Sequence, residues 1–226
     1  MPLSRRAFVR AAGVTGLGLA GALTPPAAAP PAVATPPAVA KDPLGLLLAG
    51  NRRWVAGRAR HPHSSVARRR RVAAGQDPFA VVFTCIDSRV PPELVFDRGL
   101  GDLFVVRTGA HVVDDAVLGS VEFGPAELGT PLVFVLGHER CGAVIAAIDA
   151  FSHHGGHAPG HLQAVVDALG PAYQAAAGRP GDQVENTVRA QTRLTVALLR
   201  SDPLLRDVRV LGGRYDLDTG QVELVA

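Results

Sequence analysis

Four short apolar runs limit how this chain can fold: residues 79–84, 103–107, 132–136 and 208–211. They are rich in Val, Leu and Phe and show no alternation of apolar and polar positions. That is the pattern of strands buried on both faces. Segments with helical spacing separate them, most clearly 114–128 and 142–150. Alternating strand and helix predicts an α/β fold, a three-layer arrangement with a mainly parallel sheet covered by helices. A last strand at 222–225 follows the turn Asp216-Leu217-Asp218-Thr219-Gly220 and is expected to pair antiparallel at the sheet edge. Further helices are expected at 43–57, with Leu44, Leu47, Leu48, Trp54 and Val55 on one face, and at 163–176 and 184–199. Another should carry the run Arg68-Arg69-Arg70-Arg71, capped by Ser64 or Ser65.

The chain has 226 residues, enough for one such domain with a full core. Residues 1–40 read as a leader and 41–226 as the domain. Ser4-Arg5-Arg6-Ala7-Phe8-Val9-Arg10 has the form of a twin-arginine signal. The apolar segment after it, 11–23, falls short of the roughly 20 residues that span a bilayer. A Pro/Ala-rich stretch follows, with Ala38-Val39-Ala40 as the preferred cleavage site and Ala32-Val33-Ala34 as the alternative. Export of an already folded protein to a periplasmic or extracellular location is the expectation, with no stable membrane insertion. Removing the leader takes 23 basic residues to 20, against 20 acidic ones. Near neutrality argues against a nucleic-acid partner. The arginine run, with no stacking aromatics beside it, reads as a solvated or interface helix face.

The chain's two cysteines stand in two motifs, Cys85-Ile86-Asp87-Ser88-Arg89 and His138-Glu139-Arg140-Cys141. Two thiolates and one imidazole are three of the four ligands of tetrahedral Zn2+, and a three-ligand site keeps a position open for water or substrate. A disulfide is the competing reading for an exported chain, but it needs none of the polar neighbours that both cysteines have. Iron–sulfur clusters usually take four cysteines, and a blue-copper site takes an axial methionine, whereas the only methionine here is Met1. Cys85 directly follows the first apolar run, and His138 and Cys141 follow the third. Ligands in open parallel sheets bind beyond the carboxyl ends of strands. Asp87 can bind the metal, accept a hydrogen bond from water on it, or brace the loop. Arg89 offers a bidentate partner that holds the carboxylate off the metal. The histidines of the 152–161 loop, His153, His154, His157 and His161, read as a flexible surface tract.

These motifs resemble the β-class carbonic anhydrases. The likeness also takes in Arg89-Val90-Pro91-Pro92-Glu93, Phe104-Val105-Val106-Arg107-Thr108, Gly119-Ser120-Val121-Glu122-Phe123 and Gly137-His138-Glu139-Arg140-Cys141-Gly142, and runs from about Leu46 to Glu223. It implies a sheet of order 2-1-3-4 with a fifth strand at the edge, and a homodimer or dimer-based oligomer. The implied activity is reversible hydration of CO2 to bicarbonate, with Zn2+ making a nucleophile of water. Cys85, His138 and Cys141 become the zinc ligands, and Asp87 with Arg89 the gating pair. Gln76, Phe104 and Gly109 fall at substrate-pocket positions, Gln76 reaching across the dimer. Val82, where some members carry tryptophan, implies the open form with Asp87 on Arg89. Val82 and Phe104 are expected to make an apolar berth for CO2, while His63 and His111 read as solvated or packing residues, with help to the departing proton as the alternative for each. Because two thiolates offset the metal's charge, activity is expected to rise at alkaline pH. Two departures stand out. Phe123 lacks the hydroxyl of a frequent tyrosine, and Gly109-Ala110 reverses the family's Ala-Gly. Hydrolysis of carbonyl sulfide or carbon disulfide, and a non-catalytic zinc module, are the competing functions.

Overall fold

The structure is a computed structural model that describes residues 42–153 and 157–226. The leader at 1–40, Lys41 and His154 lie outside the described residues. In chain order the elements are α1 (Pro43–Val55), α2 (Val66–Val72), β1 (Ala80–Cys85), α3 (Pro92–Val95), β2 (Leu103–Thr108), α4 (Asp115–Leu128), β3 (Leu132–His138), α5 (Gly142–Ser152), α6 (Leu162–Ala168), α7 (Gly170–Ala176), α8 (Gln183–Ser201), β4 (Arg209–Tyr215) and β5 (Val222–Leu224). The strands form one sheet of order β2-β1-β3-β4-β5. β1 pairs parallel with β2 and β3, β3 pairs parallel with β4, and β5 closes the edge antiparallel to β4. The expected α/β architecture and strand order are those of the structure.

The pleat explains why the central runs are apolar throughout. Successive residues of a strand face opposite sides of the sheet. Ala80 and Val82 of β1 join Leu132, Phe134 and Leu136 of β3 under α1 and α3, where Leu47, Val95 and Phe96 are fully or almost fully buried. Val81 and Phe83 join Val133 and Val135 on the other face, against Val121 of α4 and Val196 and Leu199 of α8. Helices therefore seal both faces, and a polar residue in mid-strand would be stranded there. Asn51 ties α1 to the body: its amide donates to the carbonyls of Val95 (3.1 Å) and Gly220 (2.8 Å), and its Oδ1 accepts from the Val222 N–H (2.9 Å). Trp54 of α1 packs beside that core, and its indole N–H donates to the Tyr215 hydroxyl at 3.1 Å.

Two elements differ from expectation. β4 runs on to Tyr215 because Gly212-Gly213 continues the strand rather than ending it. A Cβ on Gly213 would come within 2.6 Å of the Phe134 ring, so the strand passes that ring only as glycine. The helix expected at 163–176 is two, α6 and α7, broken at the buried Leu169. Pro171 has no N–H to return to Asp167, and its ring crowds the preceding turn. Ser65 does cap α2, its hydroxyl accepting from the Arg68 N–H at 3.1 Å. Arg68 donates to the Leu100 carbonyl and pairs with Asp102, while Arg69, Arg70 and Arg71 are exposed. Among the described residues no helix is long and apolar enough to cross a membrane.

Candidate metal centre

β1 and β3 are parallel neighbours, with Thr84 opposite Leu136. Their carboxyl ends therefore deliver Cys85 and His138 side by side. The chain then turns through Arg140, whose φ of 48° is left-handed, and returns Cys141 to the same point as the residue preceding α5. The Cys85 and Cys141 sulfurs lie 3.9 Å apart. One ligand atom from each of Cys85, His138 and Cys141 falls within 4.8 Å of the others, and all three residues are buried.

The donor set fits a metal ion. The His138 Nδ1–H donates to the Glu139 carbonyl at 2.9 Å, which leaves the Nε2 lone pair facing the sulfurs. That Nε2 is buried and has no hydrogen-bond partner, a costly arrangement without a ligand. Cys85 is drawn down to about 4, first by the hydrogen bond from Cys141, then by His138 and by the backbone N–H groups of Asp87 and Ala110, with burial opposing. Cys141 is pushed up by the neighbouring thiolate and by burial. The two sulfurs thus hold one proton between them where a dication would take its place. Softness of the thiolates and the Cys2His composition favour zinc.

Asp87 stands beside this cluster and is held off it. Arg89 grips the carboxylate with Nε on Oδ1 (2.9 Å) and Nη2 on Oδ2 (2.7 Å), and its backbone N–H adds a third bond at 2.9 Å. The Arg89 side chain is thus the main cause that holds Asp87 down at about 2. Asp87 Oδ2 remains 3.8 Å from His138 Nε2. Arg107 fixes the loop from below, donating to the carbonyls of Cys85 (2.8 Å) and Asp87 (2.6 Å). Sequence reasoning did not single out that brace; its signal was an arginine closing an otherwise apolar strand.

Comparison with known proteins gives the same answer from a separate direction. Residues 80–222 match the family model described as carbonic anhydrase. The chain is 43% identical over 186 residues to carbonic anhydrase 2 of Mycobacterium tuberculosis, covering 79% of this chain and 89% of that protein. It is 40% identical over 183 residues to a carbonic anhydrase of Mycolicibacterium smegmatis, covering 77% and 88%. This chain belongs to the carbonic anhydrase family. Its fold is that of the β class. A tetrameric β-carbonic anhydrase of Sordaria macrospora superposes with a TM-score of 0.63 at 22% identity, over 79% of this chain and 94% of the other. A β-carbonic anhydrase of Coccomyxa, solved with acetazolamide, gives 0.62 at 22% identity over 82% and 86%.

The outer pocket positions of this carbonic anhydrase lie elsewhere in the single chain. Gln76 is exposed ahead of β1. Phe104 pairs with Val81, four residues short of the Cys85 level. It packs edge-to-face on Phe123, with centroids 6.0 Å apart, in a surface groove of about 410 Å³ between β2 and α4. Neither reaches the chain's own Cys85.

Val82 corrects an expectation. It is fully buried under α1 and lines no open berth. It stands an odd number of residues from Cys85, and the pleat sends it to the opposite face. The two histidines take the solvated and packing roles expected of them. His63 pairs with Asp102 at 2.7 Å, just ahead of β2 at the opposite rim of the sheet. His111 is 2% exposed and packed on Phe83, both ring nitrogens lack partners, and burial depresses it to about 4. Gly109 lies against α6, where a Cβ would sit 3.1 Å from Val165. Ala110 next to it takes φ 47°, ψ 33°, a left-handed conformation usual for glycine, and donates its N–H to the Cys85 sulfur at 3.3 Å.

Proposed function

We propose that this chain catalyses the reversible hydration of CO2 to bicarbonate and a proton, with Zn2+ held by Cys85, His138 and Cys141. A zinc ion there would supply Lewis acidity, lowering the pKa of water and making it nucleophilic, less strongly than with neutral ligands because two thiolates offset its charge. The chain's own residues set the geometry of attack. The observation that carries the reading is Asp87, an ionised carboxylate pinned by Arg89 with one oxygen 3.8 Å from the free His138 nitrogen. From that position it accepts a hydrogen bond from the attacking water and turns a lone pair toward the carbon. Arg89 keeps the carboxylate from closing onto the sulfurs. Arg107 holds the carbonyls on either side of Ile86, so the loop does not shift as charge develops.

The working unit is proposed to be a homodimer or an assembly of dimers. β2 pairs only with β1 among the described residues, so its outer edge is open. Phe104 and Phe123 meet beside that edge strand, and Gln76 is exposed ahead of β1. A second copy placed against it receives them at its pocket. Twin-arginine export of the folded domain, residues 41–226, to a periplasmic or extracellular location completes the reading.

The test is stopped-flow CO2 hydration with zinc measured on the same sample, at pH 7 and about pH 8.5. Turnover that follows one zinc per chain and is greater at the higher pH is expected. Asp87→Ala should keep its zinc and lose about 100-fold or more of turnover. A zinc-loaded protein inert toward CO2 yet active on carbonyl sulfide or carbon disulfide would move the substrate to a sulfur analogue. Inertness toward all three would leave a binding module.

A further inference from the structure

The turn between His138 and Cys141 is bolted to a neighbouring hairpin by side chains outside the ligand set. Arg140 is the residue that reverses the chain there, at φ 48°. A left-handed non-glycine residue is strained and persists only when its surroundings hold it. Here the guanidinium holds it from outside. Its Nη2 donates to Asp218 Oδ1 at 2.6 Å and its Nη1 to Asp218 Oδ2 at 2.9 Å, a bidentate clamp onto the turn between β4 and β5. Asp218 is itself preset, because its backbone N–H is held by Asp216 Oδ1 at 3.1 Å. Asp216 in turn is fixed by Arg214 at 2.7 Å and by the Thr219 N–H at 2.8 Å. Glu139 adds a second tie. Its N–H donates to the Tyr215 carbonyl at 2.9 Å, and its carboxylate accepts from the Leu217 N–H at 3.1 Å. The Arg140 carbonyl also receives the gating arginine, Arg89 Nη2, at 3.4 Å.

We propose that Asp218 is a positioning residue for the metal centre, acting through Arg140 to keep His138 and Cys141 aimed at one ion. This rests on reading Cys85, His138 and Cys141 as zinc ligands. Asp218 is far from the sulfurs in sequence and largely exposed, with its side chain 69% accessible. Its loss therefore removes little packing and acts through the turn alone. An exposed ion pair usually contributes little. This one differs because Asp218 is preset by Asp216 and because the pair opposes a backbone strain next to two ligands.

The experiment measures zinc affinity of the full chain by competition with a chromogenic chelator, alongside thermal melting. Asp218→Asn should weaken zinc binding about three- to tenfold, less than the roughly 10–100-fold typical of groups bonded directly to metal ligands, while the melting temperature of the zinc-free protein stays put. Arg140→Ala, which keeps the strain and loses the clamp, should weaken it at least as much. Arg140→Gly, which needs no clamp because glycine accepts positive φ freely, should stay within about twofold of the parent. In the Arg140→Gly background, Asp218→Asn should then do nothing more. The proposal is overturned if Asp218→Asn leaves affinity within twofold, if it weakens zinc equally beside Gly at 140, or if Arg140→Gly is as weak as Arg140→Ala. A parent chain that binds no zinc would instead sink the ligand assignment. A parent that binds zinc but does not hydrate CO2 would leave the clamp standing.

Discussion

Val81–Phe83 and Val133–Val135 pair in register in the middle of the sheet, wholly buried and apolar on both faces. Two residues beyond the first run and three beyond the second, Cys85 and His138 are just as buried, yet they carry sulfur and an unpartnered imidazole nitrogen. Around them Ala110, His111 and Arg140 take φ values of 47° or 48°. Mid-sheet residues satisfy every local rule at once: strand propensity, apolar patterning, close packing. The carboxyl rim breaks several of them, and what compensates is hydrogen bonding from Arg89, Arg107 and Arg140, to which the proposed zinc ion would add. Stability and chemistry therefore occupy successive stretches of the same strands and should be separable by mutation.

The largest effect expected at the rim is from Cys85→Ala. It removes a ligand and should abolish zinc retention and turnover. Its melting temperature should fall no further than that of the parent stripped of zinc by a chelator. A much deeper loss would mean that Cys85 also holds the core and that the two regions are one. Next comes Phe134→Ala in the middle, where the ring meets Phe96 edge-to-face at 5.7 Å. About 3–5 kcal/mol of stability should be lost in denaturant titrations, with turnover per folded, zinc-loaded molecule unchanged; a change in that ratio would break the separation. The smallest is Ala110→Gly, which relieves a left-handed alanine at the rim. It should add about 0.5–1 kcal/mol without altering zinc content. A loss of stability there would show that the rim is not strained at Ala110 and would narrow the contrast to Arg140.

How much of this was legible in the sequence follows the same divide. Unbroken Val/Leu/Phe runs announced β1 and β3 because burial on both faces leaves no other composition open to them; β2 carries the same apolar signal but, at the sheet edge, is only half-buried along its length. β4 was cut short because Gly212-Gly213 carries no apolar signal, although close passage over Phe134 is what requires glycine. Cys85, His138 and Cys141 stood out since both cysteines sit at strand ends among polar partners. Asp87 and Arg89 were readable as a pair because they are two apart. Arg107 and Asp218 were not, since each acts on residues 20 or more positions away through strand register. Val82 was misplaced for one reason. Proximity in sequence to a site does not say which way the pleat sends a side chain.

The bond from Trp54 to Tyr215 has a practical consequence. The chain contains a single tryptophan. Its indole is bonded to the hydroxyl of the residue whose carbonyl receives the Glu139 N–H, one position from His138. The protein therefore carries its own fluorophore at the end of a short mechanical linkage to the metal loop. Loosening of that loop should change what the indole N–H touches, and a shift in intrinsic emission on zinc removal is the measurement that checks it, without label or substrate.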